Sequence, residues 1–396
     1  MTWGINWARR HAIRACLLLG ALALTACGDI SLTGPGGGNS GQKIDPNKPV
    51  TVALLLPKGS GQAGDEFLAR ALENSARMAV ADLQGVTIDL KVYATAGDPT
   101  RAASVAVQAV NEGAKIILGP VYGGAANAAG TAVAPLNVNV LSFSNNTSIA
   151  GGNVFVLGNT FENTADRMVG YAVSQGKSQI MIVSAQDQAE EKGRAAIAAA
   201  ITRYGANQSG STSFELSQEG VVSAVPRIAG GVTSNGSDSI FFTSGTAGAL
   251  PIMTQLLTEN GVDPSVTQFI GLQRWDVPTT ALELGPLQGG WFAMPSPTLT
   301  AEFRNRYSAA HGENPHLIAG LAYDGVAAVG ALIKAGKSNA LATSGLTQST
   351  GFAGVSGIFR LRADGTNERG LAVATIQNQK IVVIDPAPRS FGRAGS

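Results

Sequence analysis

Three glycines near residue 60 have the spacing of a phosphate-binding turn. Gly59, Gly61 and Gly64 spell G-x-G-x-x-G between a strand-like apolar run and a helix-like run. In dinucleotide-binding folds these glycines let the backbone approach a pyrophosphate at a helix N-terminus. Here Asp65 and Glu66 occupy that helix start, where they suit a cap better than a neighbouring phosphate. The pattern therefore predicts a strand-turn-helix unit, and a nucleotide-dependent oxidoreductase is the weakest functional hypothesis.

The remaining reactive residues do not form a catalytic or metal-binding pattern. His311 and His316 flank a turn in which Glu313 is the nearby carboxylate, whereas a metal site needs more ligands at compatible spacing. The sequence has no G-x-S-x-G, H-E-x-x-H or Walker motif. No nucleophile with a paired base can be identified. We therefore predict a protein that is not an enzyme and that uses no cofactor or metal.

An acidic cluster and a tryptophan each have two interpretations. Asp187, Glu190 and Glu191 stand at a helix start, where carboxylates favour the positive end of the helix dipole, so capping is the favoured role of the cluster. Asp187 directly follows a predicted strand and stays a candidate for contacting a polar or cationic ligand. Trp275 either stacks on a ligand in a cleft loop or packs between lobes, and the sequence leaves both open.

The first 26 residues predict a lipoprotein signal peptide. Basic residues precede the apolar run 15–24, which is too short to cross a bilayer. The next residues, Leu24-Thr25-Ala26-Cys27, are similar to the lipobox of bacterial lipoproteins, so Cys27 is expected to be the lipidated first mature residue. Gly28 after it is typical of lipoproteins sorted to the outer membrane. We therefore expect a periplasmic protein with a lipid anchor at Cys27, in the outer membrane.

The composition excludes several functional classes. The chain has 396 residues, 44% of them hydrophobic, so it can bury one large core or two medium ones. A net charge of +1 and the lack of a basic stripe beyond the N-terminus disfavour nucleic-acid binding. Cys16 and Cys27 are the two cysteines, so the mature chain is expected to have no internal disulfide.

Strand-like and helix-like segments alternate from residue 50 onwards, after a Gly- and Pro-rich stretch at 27–49 that predicts a flexible tether. The first series has expected strands at 50–56, 86–93, 115–118, 138–143 and 154–157, with helices at 66–83, 99–112 and 124–133. The second has strands at 179–184, 211–214, 239–243, 267–271 and 289–293, with helices at 162–175, 190–204, 221–229 and 247–260. Helices at 299–311 and 316–334 and three strands within 357–385 follow. Continuous apolar strands with intervening helices predict two doubly wound α/β lobes.

Four segments carry a family resemblance. They are ILGPVYGG at 117–124, VNVLSFSNN at 138–146, GGWFAMPSP at 289–297 and AYDGVAAVGALIKAG at 322–336. In this order they resemble the type 1 periplasmic binding proteins that bind branched-chain amino acids. With the lipobox and tether, the chain looks most like the lipoproteins known as penicillin-binding protein activators.

The resemblance implies two lobes joined by a three-stranded hinge, because the chain of such proteins crosses between the lobes three times. The implied lobe 1 comprises 50–158 and 298–352, and the implied lobe 2 comprises 159–297 and 353–386. Residues 387–396 are expected to form a loose tail.

The candidate site is the cleft between the lobes, because ligands of doubly wound sheets bind beyond the carboxyl ends of the strands. Free backbone N–H groups at Tyr122, Gly123 and Gly124 suit a carboxylate or another anion. The other candidate cleft residues are Ser142, Ser144, Asn146, Asp187, Ser244, Gln273, Arg274 and Trp275.

Transferring the family's amino-acid site gives a mixed result. The resemblance matches Tyr323 to a ligand-covering tyrosine and leaves Ser144 able to supply a backbone carbonyl. Gly124, however, stands where the family has a hydroxyl for the ligand carboxylate, and Gln273 stands where it has the acid for the ligand ammonium. A buried ammonium without a carboxylate costs several kcal/mol. A free amino acid is therefore disfavoured unless Asp187 or Asp276 substitutes.

Two functional hypotheses follow from this reasoning. The main one is a lipid-anchored, non-enzymatic regulator of peptidoglycan synthesis, similar to penicillin-binding protein activators, whose partner is a peptidoglycan synthase. The alternative is the solute-binding component of an ABC-type importer that takes an amino acid or another small polar ligand into its cleft.

Overall fold

Two large sheets with helices on both faces organise the protein in the computed structural model, which describes residues 41–392. The strands are β1 Val50–Leu56, β2 Ile88–Ala94, β3 Ile116–Leu118, β4 Asn139–Ser142, β5 Val154–Val156, β6 Gln179–Ala185, β7 Asn207–Phe214, β8 Ser239–Phe242, β9 Gln268–Gly271, β10 Trp291–Met294, β11 Phe352–Gly354, β12 Gly357–Leu361, β13 Asn367–Arg369, β14 Ala372–Gln377 and β15 Lys380–Asp385. The helices are α1 Ala63–Asp82, α2 Pro99–Asn111, α3 Gly123–Val133, α4 Phe161–Ser174, α5 Gln188–Arg203, α6 Gln218–Ser234, α7 Leu250–Glu259, α8 Pro297–His311, α9 Gly320–Lys334 and α10 Thr343–Leu346.

The first sheet is parallel and has the order β2-β1-β3-β4-β5. Alternate residues of a strand point to opposite faces. On one face, Leu54 of the central strand β1 belongs to a core formed with α1 and α9. On the other face, Leu55 belongs to a core formed with α2 and α3. We call this sheet and its helices, together with α8, lobe 1.

The second sheet is mixed and has the order β15-β14-β10-β9-β8-β6-β7. The five strands from β10 to β7 are parallel, and β14 and β15 are antiparallel additions at one edge. Helices α6 and α7 cover one face and helices α4 and α5 cover the other. We call this sheet and its helices lobe 2. The predicted fold class, two doubly wound α/β lobes, is confirmed.

A third, antiparallel sheet consists of β11, β12 and β13. Its buried residues Phe352, Phe359 and Leu361 pack in the same core as the apolar face of β1 and α9. The sequence assigns 353–386 to lobe 2, whereas these contacts associate β12 with the core of lobe 1. The sequence also did not predict β11 as a strand, because three residues are too few for a periodic pattern.

The chain passes between the lobes three times, between β5 and α4, between β10 and α8, and between β13 and β14. Asn367 lies at the third passage and ties it to the first. Its Nδ2 donates to the carbonyl of Val156 at 2.7 Å, and its Oδ1 accepts from Nδ2 of Asn163 at 2.5 Å. The predicted triple crossing is therefore present, and side-chain hydrogen bonds join its first and third passages.

Residues 41–49 contact lobe 1, although the sequence placed them in the flexible tether. The side chain of Ile44 is 7% exposed and belongs to the core of β1, α1 and α9. Its amide donates to the carbonyl of Ser338 at 2.8 Å, and Nε2 of Gln42 donates to the carbonyl of Leu136 at 2.6 Å. The remaining tether, the signal peptide, Cys27 and residues 393–396 lie outside the described residues.

Several element bounds differ from the prediction. Helix α6 runs from Gln218 to Ser234, well beyond the predicted 221–229, and contains Pro226. Strand β7 begins at Asn207 rather than 211, because a polar sequence at a sheet edge lacks the apolar signal of a buried strand. None of the helices between residues 41 and 392 is both long and apolar enough to cross a membrane.

Candidate functional site

The loop from β3 to α3 brings backbone donors to the carboxyl end of the first sheet. Gly119 has φ 83°, and a Cβ there would lie 2.3 Å from the carbonyl oxygen of Leu55, so this close turn needs glycine. Helix α3 then starts without a side-chain cap. Among residues 41–392, no hydrogen bond uses the amides of Gly123 or Gly124. These free N–H groups at a helix N-terminus suit an anion.

Ser144 and Asn146 lie beside the free amides. A Cβ built on Gly123 would be 3.1 Å from Nδ2 of Asn146 and 3.7 Å from Oγ of Ser144. Ser142 lies beneath them, fully buried, with its hydroxyl donating to the carbonyl of Pro120 at 3.0 Å. Its oxygen also accepts from the amide of Ser144 at 3.1 Å. The structure thus brings the lobe 1 candidates together, with Ser142 shaping the loop.

The backbone carbonyl of Ser144, a possible ligand group in the resemblance, has a partner. It accepts from the amide of Gly158 at 3.1 Å, at the first passage between the lobes. A Cβ on Gly158 would lie 2.5 Å from that carbonyl oxygen, so the close approach requires glycine. Ser144 therefore couples the cleft loop to the hinge.

Tyr122 is an exposed lobe 1 candidate, at 41% exposure. Its hydroxyl donates to the carboxylate of Asp65 at the start of α1. This hydrogen bond, with partial burial, raises the pKa of Tyr122 to about 12. Glu66 accepts from the amide of Gly59 at 2.7 Å. Asp65 therefore binds Tyr122, and Glu66 binds the glycine-rich loop. The amide of Gly59, which a phosphate would need as a donor, already donates to Glu66.

The acidic cluster of lobe 2 is bonded internally. Asp187 is the N-cap of α5 and accepts from the amides of Ala189 and Glu190 at 2.7 and 3.0 Å. Glu190 accepts from the amide of Ala185 at 2.6 Å, from the hydroxyl of Thr243 at 2.7 Å and from that of Ser244 at 2.8 Å. Its carboxylate thus links the ends of β6 and β8. The hydroxyl of the candidate Ser244, which is 3% exposed, is used in this network.

The loop after β9 is also bonded internally. Nε2 of Gln273 donates to the carbonyl of Thr243 at 3.0 Å, and Arg274 forms an ion pair with Asp276. Trp275 is fully buried and stacks on Phe292 with ring centroids 6.2 Å apart. A Cβ on Gly290 would lie 2.0 Å from its ring. Trp275 thus packs in the core of lobe 2 rather than in the cleft.

Tyr323, on α9, lies among helices of lobe 1. Its hydroxyl donates to the carboxylate of Asp82 at the end of α1, and its ring makes an edge contact with Phe303 of α8. The guanidinium of Arg306 lies 5.8 Å from the ring centroid. No contact of Tyr323 within residues 41–392 joins it to the other candidates, which lie at the ends of β3, β4, β6, β8 and β9.

A cavity of about 590 Å³ lies between the loop 145–148 of lobe 1 and helices α4 and α5 of lobe 2. Across it, Nζ of Lys192 donates to Oδ1 of Asn146 at 3.3 Å. Lys192 forms no salt bridge among the described residues. Asn146 therefore lies beside Gly123 at the start of α3 and also bonds the ammonium of Lys192.

The sequence reasoning missed Lys192 and Gln188, which line this cavity. Their spacing of four residues on α5 was the available signal, because residues four apart share a helix face. The same face continues with Ala195, Ala196 and Ala199, so the polar pair stands at one end of an alanine stripe. We found no group of three or more His, Cys, Asp or Glu side chains suited to a metal ion within residues 41–392.

Two doubly wound lobes, a triple crossing and a cavity between the lobes define the chain as a two-lobed binding protein. A family model for periplasmic binding proteins matches residues 49–380. The chain belongs to the periplasmic binding protein family. No curated protein matches it in sequence.

Solved structures share the fold. A putative branched-chain amino acid ABC transporter protein from Rhodospirillum rubrum is 16% identical, with a TM-score of 0.73, over 85% of this chain and 100% of that one. An ABC transporter substrate-binding protein from Desulfitobacterium hafniense, in complex with Leu, is 17% identical with a TM-score of 0.62, over 85% and 100%. A solute-binding protein from R. palustris, in complex with benzoate, is 16% identical with a TM-score of 0.56, over 88% and 98%. These similarities establish the fold.

Proposed function

We propose that this chain is a solute-binding protein whose cleft takes a small ligand with a carboxylate group. The observation that carries the proposal is that Asn146 lies beside Gly123 of lobe 1 and bonds Lys192 of lobe 2. The amides of Gly123 and Gly124 at the start of α3 have no acceptor within residues 41–392, and the ammonium of Lys192 lies across the cavity. A helix N-terminus and an ammonium both favour an anion.

The ligand carboxylate would replace Asn146 as the partner of Lys192. Because Lys192 belongs to lobe 2 and the amides belong to lobe 1, one anion bound by both groups favours a closed arrangement of the lobes. Ligand binding then shifts the equilibrium toward closure by the difference in affinity between the two states.

The lobe 2 face favours a carboxylate without an α-ammonium group. Glu190 already accepts three hydrogen bonds, Asp187 caps α5, and Asp276 is paired with Arg274. An ammonium group buried against these strand ends would lack a free carboxylate, which is costly. The carboxylate that does line the cavity, Glu162 of α4, accepts from the hydroxyl of Thr147 at 2.9 Å. Of the two ligands in the similar structures, Leu and benzoate, benzoate is the better guide to this cleft.

The direct test compares matched ligands by calorimetry. We expect binding of benzoate or another monocarboxylate and at least tenfold weaker binding of the corresponding amide, because the amide has no charge for Lys192. Lys192→Met should lower the affinity for the carboxylate about tenfold, or about 1.4 kcal/mol. Lys177→Met, on the surface of lobe 2 with its Nζ bonded to the carbonyl of Val266, is the matched control. Equal affinity of Lys192→Met and the original chain would contradict the proposal.

The second candidate is the regulator of a peptidoglycan synthase. The observation that favours it is that Glu190, Asp187 and Asp276, the acids at the strand ends of lobe 2, are already bonded within that lobe and are not open to the amino-acid ligands typical of the family. Co-purification with a peptidoglycan synthase, without binding of any carboxylate, amino acid, sugar or muropeptide, would favour this candidate. Binding of a carboxylate that leaves the synthase activity unchanged would favour the solute-binding candidate.

The location in the periplasm and the lipid anchor at Cys27 belong to the same proposal. Cys27 lies outside the described residues, so the support is the sequence Leu24-Thr25-Ala26-Cys27 after the apolar run. Metabolic labelling with a fatty acid should mark the original chain and leave Cys27→Ser unlabelled. Labelling of both would contradict a lipid at Cys27.

A further inference from the structure

The free edge of the lobe 2 sheet is strand β15, which has an unusually apolar exposed surface for an edge. Ile381, Val382 and Val383 are 37%, 36% and 40% exposed. In the described chain, a hydrogen bond from Arg167 to the carbonyl of Asp385 is the one backbone contact of β15 beyond its ladder with β14. An edge of this kind can add another strand.

The opposite edge of the same sheet is different. Strand β7 reads NQSGSTSF and presents polar and small side chains. Polar composition is a usual protection of a sheet edge against pairing. The edge strand β15 lacks the polar side chains that protect β7, so its exposed apolar surface is suited to a partner strand.

We propose that β15 pairs with β15 of a second copy of this chain, antiparallel about a two-fold axis at Val382. The argument is the order of charges and apolar residues along the strand. Five residues of β15 are in register with β14, and a bulge takes Ile384 out of this register. The five are Lys380, Ile381, Val382, Val383 and Asp385, which read basic, apolar, apolar, apolar, acidic.

Antiparallel pairing of this pattern with itself is complementary at every position. Lys380 faces Asp385 of the second copy, Ile381 faces Val383, and Val382 faces its own equivalent. Opposite charges and β-branched residues that face each other across strands are stabilising pairs. The two-fold axis repeats each pair, as an isologous dimer requires.

The bulge makes the register stereochemically consistent. Residues that face each other in an antiparallel pair have the same orientation, with their N–H and C=O groups both toward or both away from the partner strand. Since Ile384 is bulged, Asp385 has the orientation of Lys380 and Val382, whereas Ile381 and Val383 share the other. Each pair in the proposed register therefore joins residues of the same orientation.

Asp385 remains available for this contact. It forms an ion pair with Arg167 at 2.7 Å within its own chain, yet its side chain is 41% exposed. Each carboxylate has two oxygens and can accept from both Arg167 and Lys380 of the second copy. In one copy Asp385 is thus paired with Arg167 alone, and in the proposed dimer it also pairs with Lys380 of the second copy.

A groove beside β15 supplies further apolar surface. It has a volume of about 580 Å³ and is lined by Val383 together with Leu299, Pro386 and Pro388. A stable interface buries roughly 1,200 Å² or more in total, so a pair of short strands needs adjoining surface of this kind. The proposed dimer would join the two lobe 2 sheets into one continuous sheet, independently of the ligand in the cleft.

The test is a disulfide at the two-fold axis in the purified full chain. Equivalent residues at the axis are close enough for a disulfide, which needs Cα atoms roughly 4.4 to 6.8 Å apart. Under mild oxidation, Val382→Cys should form a dimer whose crosslink joins residue 382 to residue 382, as mapped by mass spectrometry. Mapping separates it from crosslinks through Cys16 or Cys27. Gln208→Cys, on the opposite edge β7, should give at least tenfold less crosslinked dimer.

Sedimentation provides the second measurement. Val382→Lys places like charges at the axis and should raise the dimer dissociation constant at least tenfold, whereas Val266→Lys, at a 66% exposed apolar residue elsewhere, should leave it unchanged. Unchanged thermal unfolding of both variants would show that they fold. A chain that is monomeric at every concentration and forms no 382 crosslink would overturn the proposal and leave β15 to a different strand or to none.

Discussion

Lobe 1 and lobe 2 present different chemistry to the cleft, although both are built from alternating strands and helices. At the strand ends of lobe 1, the amides of Gly123 and Gly124 have no partner within the described chain. At the strand ends of lobe 2, Glu190 and Asp187 are saturated by hydrogen bonds from their own lobe. The open amides therefore belong to lobe 1, and lobe 2 adds the ammonium of Lys192 on α5.

This contrast distinguishes residues that stabilise a lobe from residues that are free to bind a ligand. The N-cap of α3 is Tyr122, whose side chain binds Asp65 and makes no cap hydrogen bond, so the donors at the start of α3 stay open. Acids at the same place close the donors, as Asp187 does in α5. We infer that the lobe 1 helix start is the anion-binding end of the cleft.

The largest expected effect is on the stability of lobe 2. Glu190→Ala removes the acceptor of three groups, two of them on the buried Thr243 and Ser244. Leaving buried donors unpaired should lower the free energy of unfolding by about 2 to 3 kcal/mol, measured by chemical denaturation. Glu191→Ala removes an exposed ion pair with Arg194. This change should alter the free energy of unfolding by less than about 0.5 kcal/mol. Equal effects would show that the Glu190 network does not hold the strand ends together.

A smaller effect is expected at the lobe 1 end of the cleft. A Cβ at position 123 would lie 3.1 Å from Nδ2 of Asn146, so Gly123→Ala must displace Asn146 or the helix start. We expect the affinity for a carboxylate to fall about fivefold, or about 1 kcal/mol, in calorimetry. At Gly124 the Cβ would meet Pro99 at an ordinary 3.5 Å, so Gly124→Ala should bind normally. Unchanged binding by Gly123→Ala would place the anion elsewhere.

Asp187 separates capping from ligand binding. Asp187→Ala removes the N-cap of α5 and should lower the free energy of unfolding by about 1 kcal/mol, while Asp187→Ser keeps an oxygen and most of the stability. Ligand affinity should be the same in both variants, because the carboxylate already binds the amides of Ala189 and Glu190. A loss of affinity without a loss of stability would instead make Asp187 a ligand contact and weaken the contrast between lobes.

The smallest expected effect is an opposite pH dependence of one carboxylate in each lobe. In lobe 1, the hydrogen bond from Arg70 lowers the pKa of Glu313. In lobe 2, burial raises the pKa of Asp166, against the opposing effect of Arg203. The stabilising contribution of Glu313 to the free energy of unfolding is therefore present above its unfolded pKa of about 4.3. It is lost as the pH falls. The stabilising contribution of Asp166 is present below its unfolded pKa of about 3.9. It is lost as the pH rises through its folded pKa.

Denaturation midpoints of Glu313→Gln and Asp166→Asn from pH 3 to 7 check these signs. As the pH rises, Glu313→Gln should become less stable relative to the original chain, and Asp166→Asn should become more stable relative to it. Because the side chain of Glu313 is partly exposed to solvent, the stability difference between Glu313→Gln and the original chain should become smaller at high salt. Two differences of the same sign would contradict the assignment of opposite shifts.

The sequence predicts the fold well because buried parallel strands are apolar throughout. Strand β1 was predicted with its observed bounds, Val50–Leu56, since its residues from 52 to 56 alternate between two cores, one on each face of the sheet. The polar edge strand β7 and the short β11 carry no such signal, and their bounds were wrong or missing. Long-range burial, rather than local propensity, determines these elements.

The site was less predictable, because a polar residue at a strand end does not reveal its partner. Ser244 and Gln273 were selected correctly as residues of strand-end loops, yet both form hydrogen bonds inside lobe 2. Lys192 was missed because it follows the strand end by a full helical turn. Its role depends on Asn146, which is 46 residues earlier in the chain.

The burial of Ile44 in lobe 1 determines how a mechanical load on the N-terminus is distributed. A pull applied at residue 41 acts first on the amide of Ile44 and on Gln42, which are both bonded to lobe 1. That lobe therefore bears the load first, and it reaches lobe 2 through the three passages between the lobes and the cleft contact of Lys192. For a chain held at its N-terminus, lobe 1 is the stationary body and lobe 2 the one that swings.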